Sequence, residues 1–405
     1  MKRMDPGTNA EMVPLNKQRA LMEVLQVSMK LGLTAFGGPV AHLGYFHHEY
    51  IIKRRWMDER SYADLVALCQ LLPGPASSQV GIGIGLVRAG LLGGLVAWLG
   101  FTLPSVIALS GFALLLKGFD IGGMGWIHGL KIVAVAIVAQ AIASMGQKLA
   151  PDRIRATIVV LVSVITLMWQ AAFSQVLLIA AAGLAGIGLY GKSDGTDVPS
   201  LAVPISRRFS AACLALFFGL LLLLPLLSRL YPSGWISLFD RFYRAGSLVF
   251  GGGHVVLPLL EREVVPAGLV SQADFLAGYG AAQAVPGPLF TFAAYLGAMA
   301  KGLSGAAVAT AAIFLPAFLI VAGALPFWDS LRRSPRVQGA MTGINAAVVG
   351  ILLAALYDPL WTAAIAGPAD FALVSILYLM LTSWKLPPWI VVIAGAAGGL
   401  LTGII

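Results

Sequence analysis

Long apolar stretches occupy most of the chain, and short polar segments separate them. An apolar stretch of about 20 residues has the length of a helix that spans a bilayer. Four of the stretches are interrupted by Gly or Pro (23–46, 62–87, 238–260 and 274–300) and are predicted to be broken or re-entrant helices. Uninterrupted spanning helices are predicted at about 91–116, 127–147, 155–171, 173–190, 210–229, 303–327, 338–357, 361–382 and 388–405. The pattern therefore predicts an all-α polytopic membrane protein with about 13 membrane segments.

The composition excludes most soluble classes. Of 405 residues, 59% are hydrophobic and 11% are charged, against roughly 25% charged in a typical soluble domain. A soluble enzyme of this size needs more charge on its surface, and a disordered chain would be far less apolar. The net charge of +9 reflects Lys and Arg in short loops, so we expect a lipid bilayer and no nucleic acid as the partner.

The two halves of the chain repeat one another. The segment Lys30–Gly38 (KLGLTAFGG) recurs 214 positions later as Arg244–Gly252 (RAGSLVFGG), and Gln70–Pro75 (QLLPGP) recurs 213 positions later as Gln283–Pro288 (QAVPGP). We predict a cytoplasmic N-terminal segment (1–22), a first membrane repeat (23–191), a polar linker (192–209), a connecting transmembrane helix (210–231) and a second repeat (237–405).

An odd number of crossings would invert the second repeat relative to the first. Inverted repeats with interrupted helices are typical of secondary transporters. If the interrupted segments return to the side from which they started, 19 of the 27 basic residues lie in the cytoplasm. Because short cytoplasmic loops are rich in Lys and Arg, the predicted topology has the N-terminus inside the cell and the C-terminus outside.

The Pro-Gly-Pro breaks predict an anion site. A proline ends one half-helix, and the next half-helix begins with free N–H groups and a partial positive charge, which attract anions. Backbone broken inside a membrane must line a cavity within the protein. The competing interpretation is that Pro-Gly-Pro only kinks packed helices. Ser77, Ser78 and Thr291 follow the breaks by one turn and offer hydroxyl donors.

The Phe-Gly-Gly breaks extend this prediction. A cation lies six residues before each Phe, and a charge inside an apolar segment is by default functional, although a long side chain can also extend to the interface. The glutamines at the start of each Gln-x-x-Pro-Gly-Pro could donate to an oxyanion or could bond backbone freed by the break. The predicted anion-binding residues are Lys30, Phe36, Gly37, Gly38, Gln70, Pro73, Gly74, Pro75, Ser77, Ser78, Arg244, Gly251, Gly252, Gln283, Pro286, Gly287, Pro288 and Thr291.

Proton carriers are predicted at His42, Glu49 and Glu263, with a solvated flank as the alternative interpretation for Glu49. No motif indicates a cofactor or a metal, and Cys69 and Cys213 are isolated in apolar runs. A membrane-embedded enzyme would need a redox centre, a metal cluster or paired acidic residues at depth. The apolar runs contain no CxxC, HxxxH or DxxD, so the sequence favours a transporter over an enzyme.

The paired F-G-G and Q-x-x-P-G-P blocks, with the downstream element Phe101–Pro104, resemble the chromate ion transporter (CHR) family in its long, two-domain form. This resemblance implies export of chromate across the cytoplasmic membrane of a bacterium, chromate resistance and a link to the proton-motive force. It also implies sulfate as a look-alike substrate. The second copy has Gly253 where the first has Pro39, so the two half-sites need not be equivalent.

A sulfate or oxyanion carrier that works by uptake or exchange is the alternative within transport. Chromate and sulfate are both tetrahedral dianions with four acceptor oxygens, and the residues above do not distinguish them. The sequence also leaves a homodimer open.

Overall fold

The computed structural model describes residues 17–119, 125–169, 174–190, 206–231, 233–250, 253–328 and 334–402. All regular structure within these ranges is helical. The helices of nine or more residues are α1 (Lys17–Thr34), α2 (Gly38–Phe46), α3 (Glu59–Leu71), α4 (Ala76–Phe119), α5 (Gly125–Leu149), α6 (Arg153–Met168), α7 (Ser174–Tyr190), α8 (Arg207–Leu230), α9 (Gly234–Ser247), α10 (Val256–Val264), α11 (Gln272–Ala282), α12 (Phe292–Ala324), α13 (Pro335–Ala355), α14 (Pro368–Thr382) and α15 (Pro388–Thr402).

The predicted breaks fall between helices. The Phe-Gly-Gly motif of the first repeat separates α1 from α2, and the two Pro-Gly-Pro motifs separate α3 from α4 and α11 from α12. A 3₁₀ turn, Leu289–Thr291, leads into α12. Polar side chains begin several helices by accepting hydrogen bonds from first-turn N–H groups: Asp58 accepts from Ser61 N at 2.9 Å, and Ser271 accepts from Asp274 N at 3.1 Å.

Two of the long helices fold back on themselves as tight hairpins. The chain leaves helical geometry at Ala89–Gly90 in α4 and at Lys301–Gly302 in α12, where the glycines have φ of 70° and 67°. Only glycine adopts this left-handed conformation without strain. In α12 the two arms meet at Gly297 and Gly305, whose backbones are too close to admit a side chain.

Five helices in the described ranges are long and apolar enough to cross a membrane: Ala76–Lys117, Gly125–Leu149, Arg207–Leu230, Leu289–Phe327 and Pro335–Ala364. Three shorter apolar helices coincide with α7, α14 and most of α15. The structure is thus a polytopic all-α protein, as predicted. The total of 13 segments and the opposite orientation of the two repeats stay predictions.

The second halves of the two repeats exchange partners. Helix α5 packs against α14 and α15, which belong to the second repeat, whereas its counterpart α13 packs against α6 and α7 of the first. Glycines permit both contacts, because a side chain on Gly129 or Gly343 would overlap the backbone of Gly395 or Ala182, respectively. Small residues allow helices to approach closely in membranes. Each repeat is therefore completed by helices from the other.

The connecting helix α8 begins inside the predicted linker, at Arg207, and the rest of that linker up to residue 205 lies outside the described residues. Helix α8 packs on α9 and α12. The Ser210 hydroxyl donates to the Ala322 carbonyl at 2.8 Å, so α8 is attached to the second repeat.

We predict that Gly297→Ala lowers the thermal unfolding midpoint of the detergent-purified protein. The new methyl group would overlap Gly305 and force the hairpin arms apart, and overpacking of this kind costs about 1–3 kcal/mol. Gly188→Ala is the matched control, because a Cβ there meets open space in α7. Equal midpoints for both variants would contradict the proposed role of the glycine contact.

Candidate anion site

Two reciprocal hydrogen bonds join the breaks of one repeat to the breaks of the other. Gly74 N donates to the Val249 carbonyl at 2.7 Å, and Gly287 N donates to the Ala35 carbonyl at 2.9 Å. Each acceptor immediately precedes the Phe of a Phe-Gly-Gly motif, and each donor is the Gly of a Pro-Gly-Pro motif. Because Ala35 and Val249 are buried, these bonds satisfy backbone groups that would otherwise be costly away from water.

A cavity of about 430 Å³ lies at one of these junctions, and we call it the break cavity. Its size is within the range of small-molecule sites. It brings the first Phe-Gly-Gly motif together with the second Pro-Gly-Pro motif. The lining residues are Phe36, Gly37, Gly38, Ala41, Ile137, Gln140, His254, Ala282, Gln283, Val285, Gly287, Leu289, Leu381, Lys385, Leu386, Pro387 and Pro388.

Two helix N-termini from different repeats line the break cavity. Helix α2 begins at Gly38, after Gly37 at φ 100°. The turn that leads into α12 begins at Leu289, after Gly287 at φ 99° and Pro288. First-turn N–H groups have no partner within their own helix, and the positive end of the helix dipole favours a negative charge. The arrangement suits an anion held between α2 and α12.

Polar side chains complete the wall of the break cavity. The amide nitrogen of Gln283 has no hydrogen-bond partner among the described residues. His254 Nδ1 lies 2.7 Å from the Tyr279 hydroxyl. Gln140 contributes from α5, and Lys385, from the loop between α14 and α15, is exposed. A lysine with this exposure would place a positive charge at the mouth of the cavity.

The first Pro-Gly-Pro motif lies at the other junction. Gly74 and Pro75 are buried there, with Pro73 partly exposed, and Ser77 and Ser78 are buried at the start of α4. The first helical hydrogen bond of α4 runs from Gln79 N to the Pro75 carbonyl at 2.9 Å. The N–H groups of the residues before Gln79 therefore have no carbonyl partner within the helix. The predicted residues Gly251 and Gly252 lie outside the described residues.

Two predicted donors have other surroundings. Gln70 is exposed on α3 and does not line the break cavity. The Thr291 hydroxyl donates to the Pro288 carbonyl at 2.7 Å, so it satisfies backbone freed by the proline. His42 is buried and packs edge-on against Phe101, with ring centroids 5.3 Å apart.

The two predicted cations pair with two of the three predicted proton carriers. Lys30 Nζ donates to Glu49, and Arg244 donates to Glu263 at 2.6 and 2.9 Å. Both the cations and the carboxylates are 214 positions apart, so the pair itself is repeated. None of the four lines the break cavity. The structure therefore places both cations outside the break cavity, whereas the sequence predicted that they and the breaks form one anion site.

The repeated ion pairs differ in their surroundings. Glu49 is shared by three cations, since Lys53 lies 3.9 Å away and Arg54 also donates to it. In the second repeat Arg244 has a second carboxylate, Asp240, bonded at 3.0 and 3.1 Å. Gln26 occupies the position equivalent to Asp240. Arg241 also lies 3.6 Å from Glu263, so the second cluster has two cations and two carboxylates, whereas the first has three cations around one carboxylate and an excess of positive charge.

Sequence reasoning missed Gln140, His254 and Lys385 as cavity residues. His254 had a signal, because it directly follows the second glycine motif. Gln140 had no signal in the sequence. Lys385 had none either, because it reaches the first Phe-Gly-Gly break only through the exchange of helices between repeats, which brings the α14–α15 loop there.

Known proteins match this chain in sequence over most of its length. The family described as "Chromate transporter" matches residues 22–187 and 236–400. The "Probable chromate transport protein" of Synechococcus elongatus is 28% identical over 391 residues, which cover 94% of this chain and 95% of that protein. The "Chromate transport protein" of Pseudomonas aeruginosa is 28% identical over 419 residues, covering 98% and 94%. That of Cupriavidus metallidurans is 27% identical over 344 residues, covering 83% and 82%. No solved structure matches at a significant level.

We predict that Gly287→Ala destabilises the protein more than Gly268→Ala does. Both glycines have positive φ, so alanine costs about 1–2 kcal/mol of backbone strain at either position. Only at Gly287 would the new Cβ also meet a neighbour, Ser105 Oγ at 2.9 Å, and displace the N–H from Ala35. The lower unfolding midpoint should therefore belong to Gly287→Ala, with faster amide exchange in peptides that cover residue 287. A midpoint no lower than that of Gly268→Ala would refute the role of this junction.

Proposed function

This chain belongs to the chromate transporter family, and from that premise we propose that it is a secondary transporter that exports chromate across the cytoplasmic membrane of a bacterium and confers chromate resistance. Family membership and the apolar helices establish a membrane protein that transports rather than catalyses. We propose three further features of this transport: its substrate, its direction and its coupling to protons.

The break cavity is the proposed substrate site. The observation that carries this assignment is the meeting of two helix N-termini from different repeats beside Gln283 and Lys385. Chromate presents four acceptor oxygens, and N–H groups, an amide and an ammonium group are the donors such an ion needs. Sulfate has the same shape and charge, so it is the expected competitor.

The two repeats are proposed to have opposite orientations, with the N-terminus in the cytoplasm and the C-terminus outside. The reciprocal bonds Gly74–Val249 and Gly287–Ala35 support a two-fold relation between the repeats, because they exchange equivalent positions, and the odd number of predicted crossings makes that relation an inversion. Substrate sites of inverted-repeat transporters lie at such an interface between repeats.

Export is electrically favourable for this substrate. Moving a charge through the membrane potential is worth ~2.3 kcal/mol per 100 mV, so a dianion that leaves a negative interior gains about twice that amount. A uniport would therefore be sufficient, and inward movement of protons would add a further driving force. The alternative is uptake or exchange of sulfate or a related oxyanion through the same cavity.

The repeated ion pairs are the proposed coupling elements. A proton on Glu49 would remove the counter-charge that Lys30, Lys53 and Arg54 share, so the cluster would become attractive to a dianion. A proton on Glu263 would leave Arg244 paired with Asp240. Proton binding should therefore change anion affinity at the Glu49 end far more than at the Glu263 end.

We predict that Gln283→Ala and Lys385→Gln each reduce chromate transport into everted membrane vesicles by roughly tenfold, the loss expected from one charge-assisted hydrogen bond of ~1.5 kcal/mol. Gln70→Ala is the matched control for Gln283→Ala, because Gln70 is its counterpart in the first repeat but is exposed. Addition of sulfate tests the alternative substrate. If Gln70→Ala lost as much transport as Gln283→Ala, the break cavity would not be the substrate site.

We predict that Glu49→Gln lowers the apparent KM for chromate by roughly tenfold, since three cations lose a shared partner worth ~1.5 kcal/mol. Burial raises the pKa of Glu49, but the hydrogen bonds and charges of Lys30 and Arg54 outweigh this effect and lower the pKa below its usual value, so the variant should flatten the pH dependence of transport on the acidic side, below about pH 5. Glu263→Gln should change KM less than threefold, because Asp240 still pairs with Arg244. Initial rates in vesicles at several pH values measure both effects. A wild-type pH profile in Glu49→Gln, or equal effects of the two variants, would contradict the coupling scheme.

A further inference from the structure

A second large cavity lies away from the junction of the breaks. It measures about 470 Å³ and is enclosed by α7, α8, α9 and α10, and we call it the α8 pocket. Apolar side chains form much of its wall, among them Val176, Leu222, Leu226, Leu248 and Leu259. Three arginines also line it: Arg229, Arg244 and Arg262. Glu263, which pairs with Arg244, lines it too, so the pocket combines an apolar wall with three arginines and one carboxylate.

The polar and apolar parts of the pocket lie at different depths along α8. Arg229 is in the last turn of this helix, which ends at Leu230, and Leu226 and Leu222 lie about one and two turns before it. Arg262 is likewise close to the end of α10, at Val264. The end of a spanning helix lies near the lipid headgroups, whereas positions further along the helix face acyl chains. The order of side chains thus matches the profile of a phospholipid.

The wall that α8 contributes is open to the outside of the protein. Leu222 is 74% exposed and Leu226 is 51% exposed. Among the five long apolar helices of the described ranges, α8 is the least buried. A lipid could therefore enter sideways from the bilayer without any opening of the helix bundle.

The arginines of the pocket are not equally available to a ligand. Arg244 is committed to Asp240 and Glu263. Arg262 donates to Ser174 Oγ at 2.8 Å, which leaves further N–H donors on its guanidinium. Arg229 is exposed and has no carboxylate within ion-pair distance in the part of the chain that the structure describes. Arg229 and Arg262 can therefore bind a phosphate while the Arg244 pair stays intact.

We propose that the α8 pocket binds one anionic phospholipid, with its phosphate against Arg229 and Arg262 and an acyl chain along Leu222 and Leu226. A free oxyanion fits this pocket poorly, because the apolar wall would strip it of water and give no hydrogen bond in return. A zwitterionic lipid has a cation beside its phosphate and gains less from the arginines. The two arginines that hold the phosphate, Arg229 and Arg262, have no role in the proposed transport of chromate, although the Arg244–Glu263 pair also lines the pocket.

The test uses the full-length protein, delipidated in detergent and analysed by native mass spectrometry with phosphatidylglycerol or phosphatidylcholine at equal concentration. The wild type should retain one phosphatidylglycerol at least fivefold more often than phosphatidylcholine. Arg229→Gln should remove most of this preference, and Arg229→Gln/Arg262→Gln should remove all of it. Arg153→Gln/Arg336→Gln is the matched control, because it deletes two exposed arginines that do not line the pocket and should leave the preference unchanged.

A second variant distinguishes a lipid from a free anion. Leu226→Trp fills the apolar part of the pocket without a change of charge, so it should reduce phosphatidylglycerol retention by at least threefold, and millimolar inorganic phosphate should not displace the lipid. Equal retention of the two lipids by the wild type would overturn the proposal. The proposal would also be overturned if the Arg229→Gln/Arg262→Gln variant eluted as a folded species on size exclusion and still preferred phosphatidylglycerol. Displacement of the lipid by phosphate, together with full lipid retention in Leu226→Trp, would overturn it as well.

Discussion

Broken backbone inside an apolar protein must find hydrogen-bond partners within the protein, and this constraint underlies the architecture. Each Pro-Gly-Pro break satisfies the N–H of its glycine with a carbonyl from the other repeat, Gly74 with Val249 and Gly287 with Ala35. Neither repeat can satisfy its own breaks in this way. The two halves therefore need each other, and the exchange of α6–α7 and α14–α15 between them strengthens the same dependence.

The same constraint explains why the substrate site is proposed at a junction and not at the paired cations. An ion pair such as Arg244–Glu263 already satisfies its own charges, so an anion gains there only if a carboxylate is neutralised. The first-turn N–H groups of α2 have no such competitor within their own helix. Ahead of α12, Gly287 N and Thr291 N are already bonded, to the Ala35 and Pro288 carbonyls, which leaves the N–H groups between them for an anion. The junction supplies a fixed set of donors, whereas the ion pairs supply a set that depends on a proton.

Much of this could be predicted from the sequence, because hydrophobic runs and Gly/Pro breaks are local signals. The breaks at Gly37 and Gly287 are where the motifs predict them. The pairing of Lys30 with Glu49 also had a signal that was not used, since each cation has a glutamate 19 positions later in both repeats. The position of Lys385 could not be predicted, because it depends on helices packing across repeats, which no local pattern encodes.

The charged residues of the two repeats differ at positions that take no part in the backbone hydrogen bonds between the breaks. The break glycines are bound by their hydrogen bonds, so both copies keep them. The ion-pair clusters are not held by such bonds. There, Gln26 of the first repeat corresponds to Asp240 of the second, and Lys53 and Arg54 correspond to Ala267 and Gly268. A perfectly symmetric protein would hold an anion equally well at its two ends. In the proposed transport scheme, this divergence gives the Glu49 cluster a stronger attraction for the anion than the Glu263 cluster, while the backbone bonds between the repeats are kept.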